Sequence, residues 1–291
     1  MRIWLMAARP RTLPAAIAPV LVGTALAGSE GTFKPLRFAC ALIGSIFIQI
    51  GTNLANDYSD AKRGADTADR LGPVRVTASG LITPQRVLRA TWIAFGIAVL
   101  CGIYLTVVAG WVILLIGVLS IAAGVLYTGG PRPYGYAGFG EVFVFLFFGI
   151  VAVNGSYYVQ LGELDALPLG LSISIGFLAT AIIVVNNIRD IETDRRAGKK
   201  TLAVRIGREA AVRLWALLVA GALLVLPLAL WAGEASALPL IGLLATPLAL
   251  KPARTLEERR DGPALNKALA QTGALLGIFS LLVTAGLLIS A

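Results

Sequence analysis

The chain has 291 residues, 57% of them apolar and only 14% charged, with a mean hydropathy of +0.81. A soluble domain would be about a quarter charged, so a water-surrounded globule is excluded and a polytopic membrane protein is expected. No histidine is present, which excludes Ser-His and Cys-His triads, imidazole bases and His-ligated zinc or haem.

In chain order, the opening MRIWLMAARPRTLP has arginines interrupting any signal-like apolar core, so the first apolar run is expected to be retained. A bilayer core needs about 20 apolar residues per helix. On that basis nine spans are expected, at 12–29, 36–56, 87–108, 110–128, 139–160, 167–187, 210–232, 236–250 and 266–290. Cys40 and Cys101 fall inside spans, lack metal-ligand spacing and read as small buried residues. The fold class expected is an all-α transmembrane bundle forming one domain over 1–291.

With the N-terminus on one side, 23 of the 25 lysines and arginines fall on that side and only Lys34 and Arg37 on the other. The positive-inside rule makes the first side cytoplasmic and, with nine helices, places Ala291 outside a plasma or inner membrane. The net charge of +9 is thereby accounted for, and no nucleic acid partner is expected.

Seven of the 16 acidic residues lie in two short windows: Asp57, Asp60, Asp66 and Asp69, then Asp190, Glu192 and Asp194. Both begin at cytoplasmic span ends and open the Asp-rich loops expected at about 57–86 and 188–209. NLANDYSD (53–60) and NNIRDIETD (186–194) also read as a repeat four helices apart. Two four-helix units plus a ninth helix would bring them face to face.

Asn53, Asp57 and Asp60 stand at i, i+4 and i+7, and Asn186, Asp190 and Asp194 at i, i+4 and i+8, each set on one helix face. Stacked carboxylates at a membrane edge need a cation to offset them. A salt-bridged helix end, with Arg63, Arg189 or Arg195 as partner, would explain one such cluster. Two copies on one side favour a divalent metal. All-oxygen ligands without histidine or a nearby cysteine point to Mg²⁺ rather than zinc, copper or iron, and the absence of a dedicated cage favours Mg²⁺ over Ca²⁺. Lys62, Arg63 and Arg75 beside the first window, and Lys199, Lys200 and Arg205 beside the second, suit phosphate oxygens. A phosphorylated head at a membrane face with an apolar bundle behind it describes a polyprenyl diphosphate. Two Mg²⁺ ions would stabilise its leaving group, and an electron-rich ring would accept the allylic cation without any protein nucleophile.

The segments ARPRTLPAAIAPVLVGTA (8–25), NLANDYSDAKRGADT (53–67), GPVRVTASGLI (72–82), YTGGPRPYGYAGFGE (127–141), NGSYYVQ (154–160), NNIRDIETDRRAGKKTLAVRIG (186–207) and LNKALAQTG (265–273) together resemble the UbiA-type intramembrane aromatic prenyltransferases. They resemble most the branch that acts on 1,4-dihydroxy-2-naphthoate in menaquinone formation. The resemblance implies that Asp57, Asp60, Asp190 and Asp194 bind Mg²⁺ and diphosphate, assisted by Asn53 and Asn186. It also implies that Arg11, Lys62, Arg75, Lys199 and Lys200 lie near the diphosphate or the carboxylate of an aromatic acid acceptor. The first motif is DxxD where many members have DxxxD, which leaves Asp66 as an alternative to Asp60 or as an acceptor-facing group.

Tyr127, Tyr134 and Tyr136 read either as an interfacial belt or as acceptor-pocket lining. Glu141, a costly charge near a span start, reads as an acceptor-side hydrogen-bonding group, and Asn154 as a bond to a neighbouring helix. The rival readings are a different acceptor such as 4-hydroxybenzoate, a cation transporter and a non-catalytic lipid-binding scaffold.

Overall fold

Apolar segments in a bilayer must close their backbone hydrogen bonds internally, and the described residues form helices and no strand. The computed structural model describes residues 2–65, 71, 72 and 74–291. Asp66 and Asp69 lie outside them.

The helices are α1 Arg2–Ala8, α2 Leu13–Ser29, α3 Pro35–Lys62, α4 Pro84–Ala109, α5 Trp111–Leu126, α6 Gly140–Val144, α7 Ala152–Leu161, α8 Ala166–Arg196, α9 Leu202–Ile206, α10 Arg208–Ala232, α11 Leu250–Glu258 and α12 Gly262–Ile289. A π-helical stretch, Phe145–Val151, joins α6 to α7, and a 3₁₀ stretch, Leu238–Ala249, precedes α11. Among the described residues seven helical segments are long and apolar enough to cross a membrane, while Trp111–Leu126 is a shorter apolar helix. Prolines open α3, α4 and α12 at positions where no intrahelical donor is lost. Asp165 and Asp261 cap α8 and α12 through their side chains. At Asp261 the bond from the Ala264 amide, ahead of the Arg259 contact, holds the carboxyl below its usual range. The single residue between α4 and α5 is Gly110, at φ 97°, a conformation that only glycine adopts without strain.

Two differences from expectation bear on function. The acidic windows are not loops: α3 runs to Lys62 and α8 to Arg196. At 1.5 Å per residue their 28 and 31 residues give about 42 and 46 Å, against a hydrocarbon core of about 30 Å. The excess turns carry Asp57, Asp60, Asp190 and Asp194. The eighth expected span is 3₁₀ rather than α over Leu238–Ala249, with Pro239 in its first turn, where no donor is lost, and Pro247 inside it, where one is. At about 2 Å per residue its 12 residues reach roughly 24 Å, where an α-helix would reach roughly 18 Å.

The core lies where α2, α8, α10 and α12 meet. Val22, Leu178, Val185, Trp215, Leu226, Leu275 and Phe279 are buried there. Outward faces are apolar instead of charged: Trp231 is 81% exposed and Val107 79%, as a lipid-solvated surface requires. Small residues allow close helix approach. A Cβ on Gly149, in the π-helical stretch, would lie 2.6 Å from the Gly176 Cα and 2.8 Å from the Ser172 carbonyl of α8. This contact sets how the aromatic residues of the stretch face the interior. Gly149→Ala is therefore expected to destabilise the detergent-solubilised protein by about 1–3 kcal/mol. Gly96→Ala, with nothing within 4 Å, should be neutral or stabilising by up to about 1 kcal/mol. Equal thermal shifts for the two variants would contradict the close-approach argument.

Candidate active site

The last turns of α3 and α8 line one cavity, which has a volume of about 450 Å³. Its wall follows α3 from Cys40 to Asp60, roughly 30 Å of helix. Polar side chains gather at one end of this path. Toward the other end the wall is apolar, formed by α3, α4, α5 and α7. There Val99 and Ile103 of α4 and Leu114 and Val118 of α5 both line the cavity and are exposed, so it opens sideways between α4 and α5.

Asp60, 1% exposed, meets three side chains on the wall. Its Oδ2 accepts from Arg75 Nη2 at 3.1 Å and Lys199 Nζ at 3.3 Å. Its Oδ1 accepts from the Tyr136 hydroxyl at 2.6 Å, and Lys199 Nζ lies 4.6 Å from the Tyr136 ring centre. Arg75, Tyr136 and Lys199 come from three different connections, so this carboxylate gathers the segments after α3, after α5 and after α8. The cluster is held from behind: the Lys200 amide donates to the Tyr136 carbonyl at 2.8 Å and Arg205 Nη2 to the Ala137 carbonyl at 2.8 Å.

Asn186, Asp190 and Asp194 all stand on the wall, as does Asn53. Asp57 does not. The expected stripe Asn53–Asp57–Asp60 is replaced on the wall by Asn53, Asn56 and Asp60, at i, i+3 and i+7. Both sets describe one helical stripe and differ only in the middle residue. The Asp57 side is covered by the following connection, where its carboxylate accepts from the Val76 and Thr77 amides at 3.2 and 3.0 Å. Asn56, which the spacing argument passed over, accepts from the Thr128 hydroxyl at 2.9 Å.

Arg75, Lys199 and Tyr127 line the cavity; Lys62, Lys200 and Arg11 are exposed and off the wall. Arg9 lines it instead of Arg11. Its backbone is left-handed, φ 53°, and its carbonyl accepts from Thr12, whose hydroxyl in turn accepts from Asn53 and Gln49. No helical periodicity announces a residue in such a turn. Glu141 sits behind the wall, accepting from Asn187 Nδ2 at 2.8 Å. Asn154 donates to the Ile150 carbonyl, one turn earlier in the π-helical stretch, at 2.8 Å, and not to a neighbouring helix. Of the three proposed arginine partners, Arg189 holds Asp190, Arg195 pairs with Glu192, and Arg63 donates to the Gly130 carbonyl.

Among the described residues no three His, Cys, Asp or Glu side chains come together as a closed metal cage. The wall offers hard oxygens from Asp60, Asp190, Asp194 and four asparagines, Asn53, Asn56, Asn186 and Asn187, beside Arg75 and Lys199. That donor set fits Mg²⁺, which uses few protein ligands and completes its shell with water and phosphate oxygens.

A model of the UbiA prenyltransferase family matches residues 16–288. The chain is 43% identical over 288 residues to the 1,4-dihydroxy-2-naphthoate octaprenyltransferase of Mycobacterium tuberculosis, covering 98% of this chain and 96% of that protein. It is 43% identical over 281 residues to the enzyme of the same name from Escherichia coli, covering 94% and 91%. Among solved structures, a UbiA homolog from Archaeoglobus fulgidus bound to GPP and Mg²⁺ superposes with a TM-score of 0.68 at 15% identity, over 98% of this chain and 99% of that one. That likeness shows the fold alone.

Asp60→Asn would leave two buried cations without a full counter-charge, at a cost of about 3–5 kcal/mol, and activity should fall to background. Asp57→Asn keeps an acceptor oxygen for one of the two amides and should cost activity only about tenfold. Steady-state assays on both variants check the order, and an equal loss would place Asp57 with the wall residues. Burial pushes the Tyr134 phenol up, so the folded chain keeps it neutral where a free tyrosine ionises, near pH 10. Stability linked to it is complete below that range and is lost as pH climbs toward the raised value. Spectrophotometric titrations of wild type and Tyr134→Phe should coincide to about pH 11; an extra phenolate in the folded wild type would contradict this.

Proposed function

The chain belongs to the UbiA prenyltransferase family, and from that membership we propose that it transfers a polyprenyl group from its diphosphate to 1,4-dihydroxy-2-naphthoate. Diphosphate and CO₂ are released and demethylmenaquinone forms. Relatives carrying that activity in their names match nearly the whole chain. The observation that carries the reading is the shared wall: carboxylates of α3 and α8 and cations of two connections meet at the polar end of a cavity whose remainder is apolar and open sideways.

The protein is a membrane enzyme, with seven long apolar helical segments among its described residues. In the topology we infer, α5 and the Leu238–Ala249 stretch also cross, making nine spans. The corresponding ends of α3 and α8 support two four-helix units and a ninth helix. The basic connections then place the N-terminus and the polar end of the cavity in the cytoplasm.

Arg75 and Lys199 share one carboxylate, so within a charge-balanced wall a diphosphate meets two cations at this corner. Asp60, Asp190 and Asp194, with Asn53, Asn56 and Asn186, would hold the metal. When bound, Mg²⁺ supplies electrostatic neutralisation of the leaving diphosphate. The allylic C–O bond breaks and its electron pair leaves with the diphosphate. The naphthoate ring carbon bearing the carboxylate forms the new C–C bond, and loss of CO₂ restores aromaticity. Tyr127, Phe143 and Phe147 line the middle of the cavity, where they exclude water and offer ring faces to the cation. The apolar wall takes the tail, and the opening between α4 and α5 lets a long tail continue into lipid. Because the acids lie at one end of the bundle and not at its middle, ion transport is not favoured.

The decisive experiment is mass analysis of products from purified protein given geranyl, farnesyl or octaprenyl diphosphate with either acceptor. Prenylated, decarboxylated naphthoate that disappears with EDTA or Asp190→Ala is expected. Turnover of 4-hydroxybenzoate alone would overturn the acceptor assignment.

A further inference from the structure

The run LNKALAQTG (265–273) has no part in the cavity wall just described except through Leu269. Within it, Asn266 bonds in two directions. Its Oδ1 accepts from Arg189 Nη1 at 2.8 Å, and its Nδ2 donates to the Leu71 carbonyl at 2.9 Å. Arg189 is 4% exposed, and the rest of its guanidinium faces the second acidic window. Nε and Nη2 donate to the two oxygens of Asp190 at 2.8 and 2.6 Å, and Nη2 donates to Asn186 Oδ1 at 2.8 Å. One buried arginine thus orients two of the four wall residues of that window, Asn186 and Asp190, and Asn266 orients the arginine.

A second observation ties α12 to the same segment. Gly262 stands one turn before Asn266 on the same face, and a Cβ there would come within 3.0 Å of both the Cβ and the carbonyl oxygen of Leu71. Leu71 leads to Arg75, which bonds Asp60, and to Val76 and Thr77, whose amides hold Asp57. The first window is therefore joined to the second by two routes. One crosses the wall itself, through Asp60 and Lys199; the other runs behind it, from Leu71 through Asn266 and Arg189 to Asp190.

We propose that Arg189 and Asn266 are positioning residues that fix the Asp190 and Asn186 oxygens and couple their placement to that of Leu71 and of Arg75, Val76 and Thr77. A planar guanidinium can hold both carboxylate oxygens, the Asn186 amide and Asn266 at once; an ammonium cannot. The placement of the residues around Arg75 and the placement of the second window are thereby linked. This inference rests on the reading of Asp190 as a metal and diphosphate ligand.

The test uses the full-length protein in nanodiscs and the variants Asn266→Ala, Arg189→Lys, their double and Asp190→Asn. Two quantities are read: the Mg²⁺ concentration for half-maximal turnover with kcat resolved, and amide hydrogen exchange of residues 71–82 without substrate. Asn266→Ala, at a half-buried helical position that alanine suits, is expected to raise the Mg²⁺ requirement roughly tenfold with kcat little changed. It should also speed exchange at Val76 and Thr77. Arg189→Lys should do the same, and the double variant should be no worse than Arg189→Lys alone, because both act through one chain of bonds. An unmoved Mg²⁺ requirement, unmoved exchange or additive losses would each overturn the coupling. If Arg189→Lys does not fold, Asn266→Ala decides by itself. Full turnover by Asp190→Asn sinks the ligand reading, whereas an inactive Asp190→Asn beside a silent Asn266→Ala sinks the coupling alone.

Discussion

Burial of the Asp60 carboxylate is the constraint on which the arrangement depends. At 1% exposure a carboxylate without partners would be too costly to keep ionised. Arg75, Lys199 and Tyr136 satisfy it, and each reaches it from a different connection. Those connections are otherwise unrelated in sequence, so the acid fixes where each must lie. The segment that carries Tyr136 is in turn bonded to the segment that carries Lys199. Removing either cation would leave the other to balance Asp60, while removing the acid would free both. The asymmetry makes Asp60 the organising member of the cluster and the cations the adjustable ones.

The bilayer does the rest by acting as the solvent. Lipid-facing positions carry side chains such as Trp231 and Leu244, which water would drive inward. Charge is expelled from the spanning turns and collects where α3 and α8 outrun the hydrocarbon. A cavity following α3 from those turns toward its start is consequently polar at one end and apolar along its length. Small residues supply the close contacts that keep helices parallel to it, as Gly23 does: a Cβ there would lie 2.2 Å from the Val153 carbonyl. A two-ended substrate is thus matched by a gradient that the membrane itself imposes on the helices.

The sequence made the membrane class and the meeting of two acidic windows readable, because hydropathy and helical spacing are local properties. What it hid was decided by packing. Asn53–Asp57–Asp60 and Asn53–Asn56–Asp60 are equally good stripes, and only the covering of Asp57 by Val76 and Thr77 selects the second. Arg9 enters the cavity through a left-handed backbone that no periodicity encodes. Glu141 carries the signal of a functional acid, yet it stands behind Asn187. Lys62 and Lys200 had neighbours in sequence that suggested phosphate, but the continued helix at 57–62 and the tethered 199–205 segment turn them outward. In the eighth apolar run the prolines were visible, while the 3₁₀ backbone, with its longer rise per residue, became apparent only in the structure.

Charge balance links this geometry to turnover in the proposed reaction. The wall carries three carboxylates, Asp60, Asp190 and Asp194, and three cations, Arg9, Arg75 and Lys199. A wall with surplus positive charge would bind diphosphate tightly and also retain it as product. A surplus of negative charge would hold the metal and repel the substrate. With the two in balance, a diphosphate entering with its metal adds little net charge to a low-dielectric site. Its stabilisation then comes from where donors and oxygens are aimed, which can favour the departing diphosphate over the bound ester. That selectivity requires the donors to be rigid, and buried bonds to Arg75, Lys199 and Arg189 provide the rigidity. It also removes any need for histidine. The reaction as proposed asks for a steered leaving group and a dry path for a cation, and oxygen ligands, guanidinium groups and aromatic rings are sufficient for both.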